Sequence, residues 1–277
     1  MICCRWSRRS RRGRNARAIE VLEPVQYLLG AISGALVGFT LALVGGGGSI
    51  LAVPLIAYLV GVRDAHVAIG TSALAVAANA ATGLAGHARS GTVKWRCGGM
   101  YAAAGIAGAF AGSSLGKAIE GEHLLLLFAL LMVAVGALML RKRPGGDRPD
   151  VECNRTNAPK VLGFGLGTGA FSGFFGIGGG FLIVPGLIAS TGMPMLNAVG
   201  TSLIAVAAFG LTTALNYAHS GYVDWALAAV FIGGGVIGGL GGGAAARRLA
   251  RGGALNRVFA ILIFVVAAYM IWRSLNG

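Results

Sequence analysis

GGGGSILAVP at residues 45–54 and GIGGGFLIVP at residues 176–185 are near-copies of one another, 131 positions apart. A second pair follows at almost the same offset: IGTSALAVAA from Ile69 and VGTSLIAVAA from Val199, 130 positions apart. The register persists. HARSGTVKW from His87 aligns with YAHSGYVDW from Tyr217, the series Gly105, Gly108 and Gly112 with Gly235, Gly238 and Gly242, and Lys117 with Arg247. A unit of about 110 residues is therefore present twice, and two homologous halves are a hallmark of secondary transporters.

The composition around these motifs agrees. Of 277 residues, 56% are hydrophobic and only 12% charged, where a soluble domain carries about 25% charged residues. Mean hydropathy is +0.75, so a water-soluble fold could not cover its surface. The formal net charge of +14 does not signal a nucleic-acid partner, because the basic residues are clumped between long uncharged stretches. The 48 glycines, set among apolar residues, suit helices packing closely in lipid.

Windows of about 20 residues, matched to a hydrocarbon core of about 30 Å, give spans at 27–61 (with a break), 67–86, 100–116 and 124–140. The second half repeats them at 161–189 (again broken), 197–218, 225–245 and 255–271. The expected fold is all-α: a polytopic membrane protein of about eight transmembrane helices in two homologous halves, each with a glycine-rich broken helix. Its parts are a basic N-terminal tail (1–24), a first membrane repeat (25–143), a hydrophilic linker (144–160) and a second repeat (161–277). The apolar run after the tail is too long for a signal-peptide core and reads as a first span.

If each glycine run merely interrupts one spanning element, each half crosses four times. With the N-terminus in the cytoplasm, the loops then carry 17 basic residues inside and 6 outside. Counting the segments on either side of each break as separate spans gives 10 and 13, so the positive-inside rule favours eight crossings.

All 23 basic and nine acidic residues fall in tails, loops or span ends. A carboxylate proton relay or an arginine voltage sensor has no material here. Among the four histidines (His66, His87, His123 and His219) no zinc-protease motif occurs, so no enzyme is expected. Cys3, Cys4, Cys97 and Cys153 show no ligand spacing and read as structural or incidental thiols. No metal and no cofactor are expected.

Polar function in the spans must then come from backbone, hydroxyls and amides. Consecutive glycines occupy every side of a helix, so packing on one face does not explain Gly45, Gly46, Gly47 and Gly48. The chain should leave the α-helix there and restart near Ser49, aiming free N–H groups into a cavity where an anion binds without a lysine. Gly176, Gly178, Gly179 and Gly180 repeat the device, and two facing restarts would form one positively polarised pocket near the midplane.

Thr71 and Ser72, matched by Thr201 and Ser202, are candidate lining hydroxyls, although such groups also bond back to their own helix. Pro54 and Pro185 are candidate gating positions, or simply helix bends. Asn79, whose equivalent is Phe209, and Asn216 could line the path or bond across helices. His87 and His219 suit interfacial polar roles or proton coupling. Glycines spaced by four, as in Gly30, Gly34 and Gly38, read as packing ridges.

These paired segments, each followed by a G-T-S helix and a loop with a histidine just before S-G-x-V-x-W, resemble the sulfite exporter TauE/SafE family of membrane permeases. The likeness runs over about residues 30–275. It implies an inner-membrane, multi-pass permease for sulfur-containing anions such as sulfite, sulfoacetate and other organosulfonates. The family's glycine motif falls on residues 45–54 and 176–185, and its G-T-S element on Gly70, Thr71 and Ser72 and on Gly200, Thr201 and Ser202. The arginine-rich tail lies outside the likeness. The alternatives are a passive small-anion channel and a nontransporting membrane scaffold.

Overall fold

The computed structural model describes residues 23–140, 153, 157–176 and 180–249, with positions 264, 267, 268 and 272. These residues form helices joined by short turns, with no strand among them. The first half comprises α1 (Pro24–Val44), a 3-10 helix (Gly45–Leu51), a single turn α2 (Ala52–Pro54), a π-helical segment (Leu55–Val60), α3 (Ala65–Arg89), α4 (Trp95–Gly116) and α5 (Gly121–Leu140). The second comprises α6 (Ala158–Phe175), α7 (Gly180–Thr191), α8 (Met195–His219) and α9 (Trp225–Leu249). Among the described residues three helical stretches are long and apolar enough to cross a membrane: Pro24–Ala42, Ala65–Arg89 and Leu196–His219. Shorter apolar stretches include Gly48–Val60 and Leu182–Thr191.

Contacts between backbones fix the direction of each pass. On α1, Gly30, Gly34 and Gly38 meet Leu227, Phe231 and Gly235 of α9 in rising order, so these helices run parallel. On α6, Gly165, Gly169 and Gly173 meet Tyr101, Gly105 and Ala109 of α4 in the same way. Helices α3 and α8 run antiparallel, Gly210 lying on Ala73 and Ala77, and Gly83 on Leu203. The missing Cβ is what permits this: a methyl at Gly34, Gly38, Gly169 or Gly173 would strike a backbone carbonyl of the neighbouring helix. Close approach of this kind compensates for the absence of a hydrophobic driving force between helices in lipid.

Residues 45–60 do not continue α1; they turn back along it. Gly48 lies on the backbone of Thr40 and Leu41, and the Gln26 side-chain amide donates to the Val60 carbonyl at 2.9 Å. The end of this segment is therefore level with the start of α1. Eight crossings are not confirmed here, because the glycine run is a reversal and not an interruption within one straight helix. The first half traverses the helical body five times, and an odd number inverts the second half relative to the first. Helix α6, parallel to α4, enters from the face opposite to that of α1. The repeats are inverted.

They also interleave. The first helix of each half packs on the fourth pass of the other, α1 on α9 and α6 on α4. The face on which α1 begins carries the Val60 end, Lys117 and Gly121, the last of these against Ala65. The opposite face carries the ends of α1 and α3 and the start of α4. Fully buried Tyr101, Phe128, Phe209, Tyr217 and Phe231 fill the interior.

Candidate functional site

The α-helix gives way at both glycine motifs, by different means. Gly45, Gly46, Gly47 and Gly48 lie in the 3-10 helix, a tightened turn and not unwound chain, with Ser49 fully buried after them. In the second half α6 ends at Phe175, and Gly176 closes it with φ +67°, a left-handed value that costs glycine nothing. Gly178 and Gly179 lie outside the described residues; Gly180 opens α7. Pro54 is buried in α2, and Pro185 lies inside α7.

The described parts of the two breaks lie at different levels. Gly176 lies against Ile69, within about the first turn of α3, whereas Gly48 lies on Thr40 and Leu41 near the far end of α1. Each is thus close to an opposite face, because equivalent reversals in an inverted repeat occur at opposite ends. Each break also packs on the other half's G-T-S helix: Gly176 on α3, and the 3-10 helix on α8. The 3-10 helix meets α7 as well, so the two returning segments touch. The site residues fall into two swapped, pseudo-equivalent groups.

The G-T-S hydroxyls join the halves. Thr71 Oγ1 accepts a hydrogen bond from the Asp224 backbone N–H at 3.0 Å, and Thr201 Oγ1 accepts from the Lys94 backbone N–H at 3.0 Å. Asp224 and Lys94 are equivalent positions, so one clamp is built twice. Asp224 also caps α9, its Oδ1 accepting from the N–H groups of Ala226 and Leu227. Ser72 and Ser202 donate to the carbonyls of Ile69 and Val199 in their own helices, so their protons are spent locally. Thr71→Val leaves the buried Asp224 N–H unpaired and is expected to lower stability by about 1–3 kcal/mol, Thr201→Val, at the half-buried Lys94 N–H, by less, while Thr71→Ser recovers most of the loss. Unfolding of the purified protein in detergent checks this; a valine variant as stable as the parent contradicts the clamp.

The remaining candidates separate. His87 Nδ1 lies 3.0 Å from Thr92 Oγ1 beside Gly200, and the same hydroxyl donates to the His87 carbonyl at 3.2 Å. Asn197 Nδ2 donates to the Thr92 carbonyl, so His87 belongs to the group around Thr201. Its equivalent in the other group is Tyr217, beside Gly70. Asn216 is held at the α1-start face: Lys117 Nζ donates to its Oδ1 at 2.7 Å and its carbonyl at 3.1 Å, and its Nδ2 donates to Ser113 at 2.6 Å. Partial desolvation moves the Lys117 pKa below its ordinary value. His219 is exposed at the end of α8. Asn79 is buried in α3, with neither amide atom hydrogen-bonded.

One feature escaped the sequence. Cys97, in the first turn of α4, forms a disulfide with Cys153 of the inter-half linker, 56 positions away, in place of the structural or incidental thiols expected from spacing alone. Both sulfur-bearing residues are buried. Only the direction of α4, which brings its start to the linker's face, would have paired them. No cluster of metal-binding side chains occurs among the described residues.

A family model described as "Sulfite exporter TauE/SafE" matches residues 30–270. A probable membrane transporter protein of Xylella fastidiosa (strain 9a5c) is 54% identical over 258 residues, covering 90% of this chain and 97% of its own. Its counterpart in strain Temecula1 is 53% identical over the same shares. A more distant relative, the probable membrane transporter protein YdhB of Bacillus subtilis, is 23% identical over 69% of this chain and 79% of its own. No solved structure gives a significant match.

Proposed function

Because the chain belongs to the sulfite exporter TauE/SafE family, a family of membrane transporters, we propose that it is an inner-membrane permease for small sulfur-containing anions such as sulfite, sulfoacetate or other organosulfonates. One observation carries the reading: in an inverted repeat, each glycine break docks on the G-T-S helix of the other half. Alternating access needs two equivalent gates at opposite faces, and such a repeat supplies them. Gly45, Gly46, Gly47, Gly48 and Ser49 with Thr201 and Ser202 form one station. Gly176, Gly178, Gly179 and Gly180 with Thr71 and Ser72 form the other. The first N–H groups of α7 lack intrahelical partners and offer donors to an oxyanion.

Uptake of radiolabelled sulfite and sulfoacetate into proteoliposomes tests the reading. Saturable, competable flux is expected. Flux that rises linearly with concentration marks a passive channel, and none above empty vesicles marks a scaffold.

The disulfide bears on orientation. An oxidised pair persists outside the reducing cytosol, which supports an orientation with the start of α4 at the periplasm and the start of α1 in the cytoplasm. The loop-charge count for separate passes, 10 against 13, leans the other way by a small margin. A thiol-reactive polymer that cannot cross the membrane, added to intact cells, should label Cys97 and Cys153 only after a membrane-impermeant reductant. Labelling that also requires permeabilisation reverses the orientation.

A further inference from the structure

Asn79 lies mid-way along α3, 2% exposed, with Oδ1 and Nδ2 both lacking a hydrogen-bond partner. An unpaired buried amide is costly, and native structures seldom keep one without a use. Its neighbour is Gly235 of α9, where a methyl would collide with the amide; Gly235 in turn supports Gly38 of α1. Here three passes meet, well inside the body and between the levels of the two breaks.

The repeat supplies an internal control. Gly105 is the equivalent of Gly235, and Phe209 the equivalent of Asn79. A methyl at Gly105 would collide with the Phe209 ring, which stacks on Tyr101 with centroids 6.3 Å apart. The scaffold therefore builds the same contact twice, once around an apolar ring and once around an amide. Packing does not require the polar group.

We propose that Asn79 is a substrate-contacting residue: its Nδ2 donates hydrogen bonds to the oxygens of a small oxyanion passing between the two faces, and its Oδ1 is free to accept from a protonated form. Gly235 covers the amide in this conformation, so contact with solute accompanies movement of α9 against α3. The assignment rests on the permease reading and names one chemical group of its path.

The test compares wild type, Asn79→Leu and Asn79→Ala in proteoliposomes supplied with radiolabelled sulfite, alongside unfolding temperature in detergent with and without sulfite. A site built to hydrogen-bond its substrate loses heavily when the group is removed. Both variants should therefore lose about ten-fold or more of the saturable flux. Asn79→Leu should unfold no lower than wild type, since an apolar side chain replaces an unpaired amide. Flux in both variants close to that of wild type overturns the assignment. If Asn79→Leu does not assemble, Asn79→Ala decides by the same criterion. A wild-type protein that carries no anion sinks the permease reading; the residue is then judged by thermal shift. Sulfite-dependent stabilisation lost in the variants supports it, and an equal or absent shift overturns it.

Discussion

Leucine at Gly38 or Gly112 will prevent recovery of a stable protein, whereas alanine at Gly163 or Gly167 will leave it intact or make it more stable. A Cβ at Gly38 strikes the Gly235 carbonyl, and one at Gly112 strikes the Ala170 carbonyl. Backbone cannot step aside as a side chain can, so relief requires the two helices to part along their length. Overpacking ordinarily costs about 1–3 kcal/mol, and separating two helices that touch at backbone level over several turns exceeds that range. Gly163 and Gly167 are exposed, with nothing within 4 Å of a new Cβ. There, only the helix propensity of alanine, worth up to about 1 kcal/mol over glycine, is in play. Gly30 should fall between, since the atom in the way is the flexible Leu227 Cδ1, at 2.8 Å. Yield of monodisperse protein and unfolding temperature in detergent are the measurements. A stable Gly38→Leu protein would contradict the parallel α1/α9 seam.

Much of the architecture is legible in the residues themselves. The duplicated motifs announce two halves, and the spaced glycines Gly30, Gly34 and Gly38 announce a seam, because both are statements about residue type at fixed intervals. The partner of each seam is not legible. Nothing in the local sequence says that α1 packs on α9 of the other half instead of on a neighbour in its own. Pass number is not legible for a similar reason: a glycine run signals departure from the α-helix, but reversal and interruption share the same residues. The Gln26 to Val60 hydrogen bond separates them. Once the count is odd, the repeat inverts, and Gly48 and Gly176 lie toward opposite faces.

The hydroxyls illustrate another limit. Thr71 and Thr201 stand out in sequence because they recur, and recurrence suggests lining. In the structure each accepts a backbone N–H from the other half, a structural use that recurs for the same symmetry reason. Asn79 is the converse. It does not recur, and its significance emerges only when Phe209 is seen to fill the equivalent place.

If peptide groups at the two glycine reversals hold a passing anion in place of charged side chains, bulk placed at both reversals must abolish transport. Gly47→Leu combined with Gly180→Leu tests this most directly, in proteoliposomes given radiolabelled sulfite or sulfonate, compared with wild type at equal amounts of folded protein. The two leucines obstruct approach to the backbone donors. Loss of one preorganised donor set from a buried anion site typically costs about 100-fold or more. Saturable flux is expected in wild type, and flux at the level of empty vesicles in the double variant. Undiminished flux in a correctly assembled double variant would contradict the role of the peptide groups.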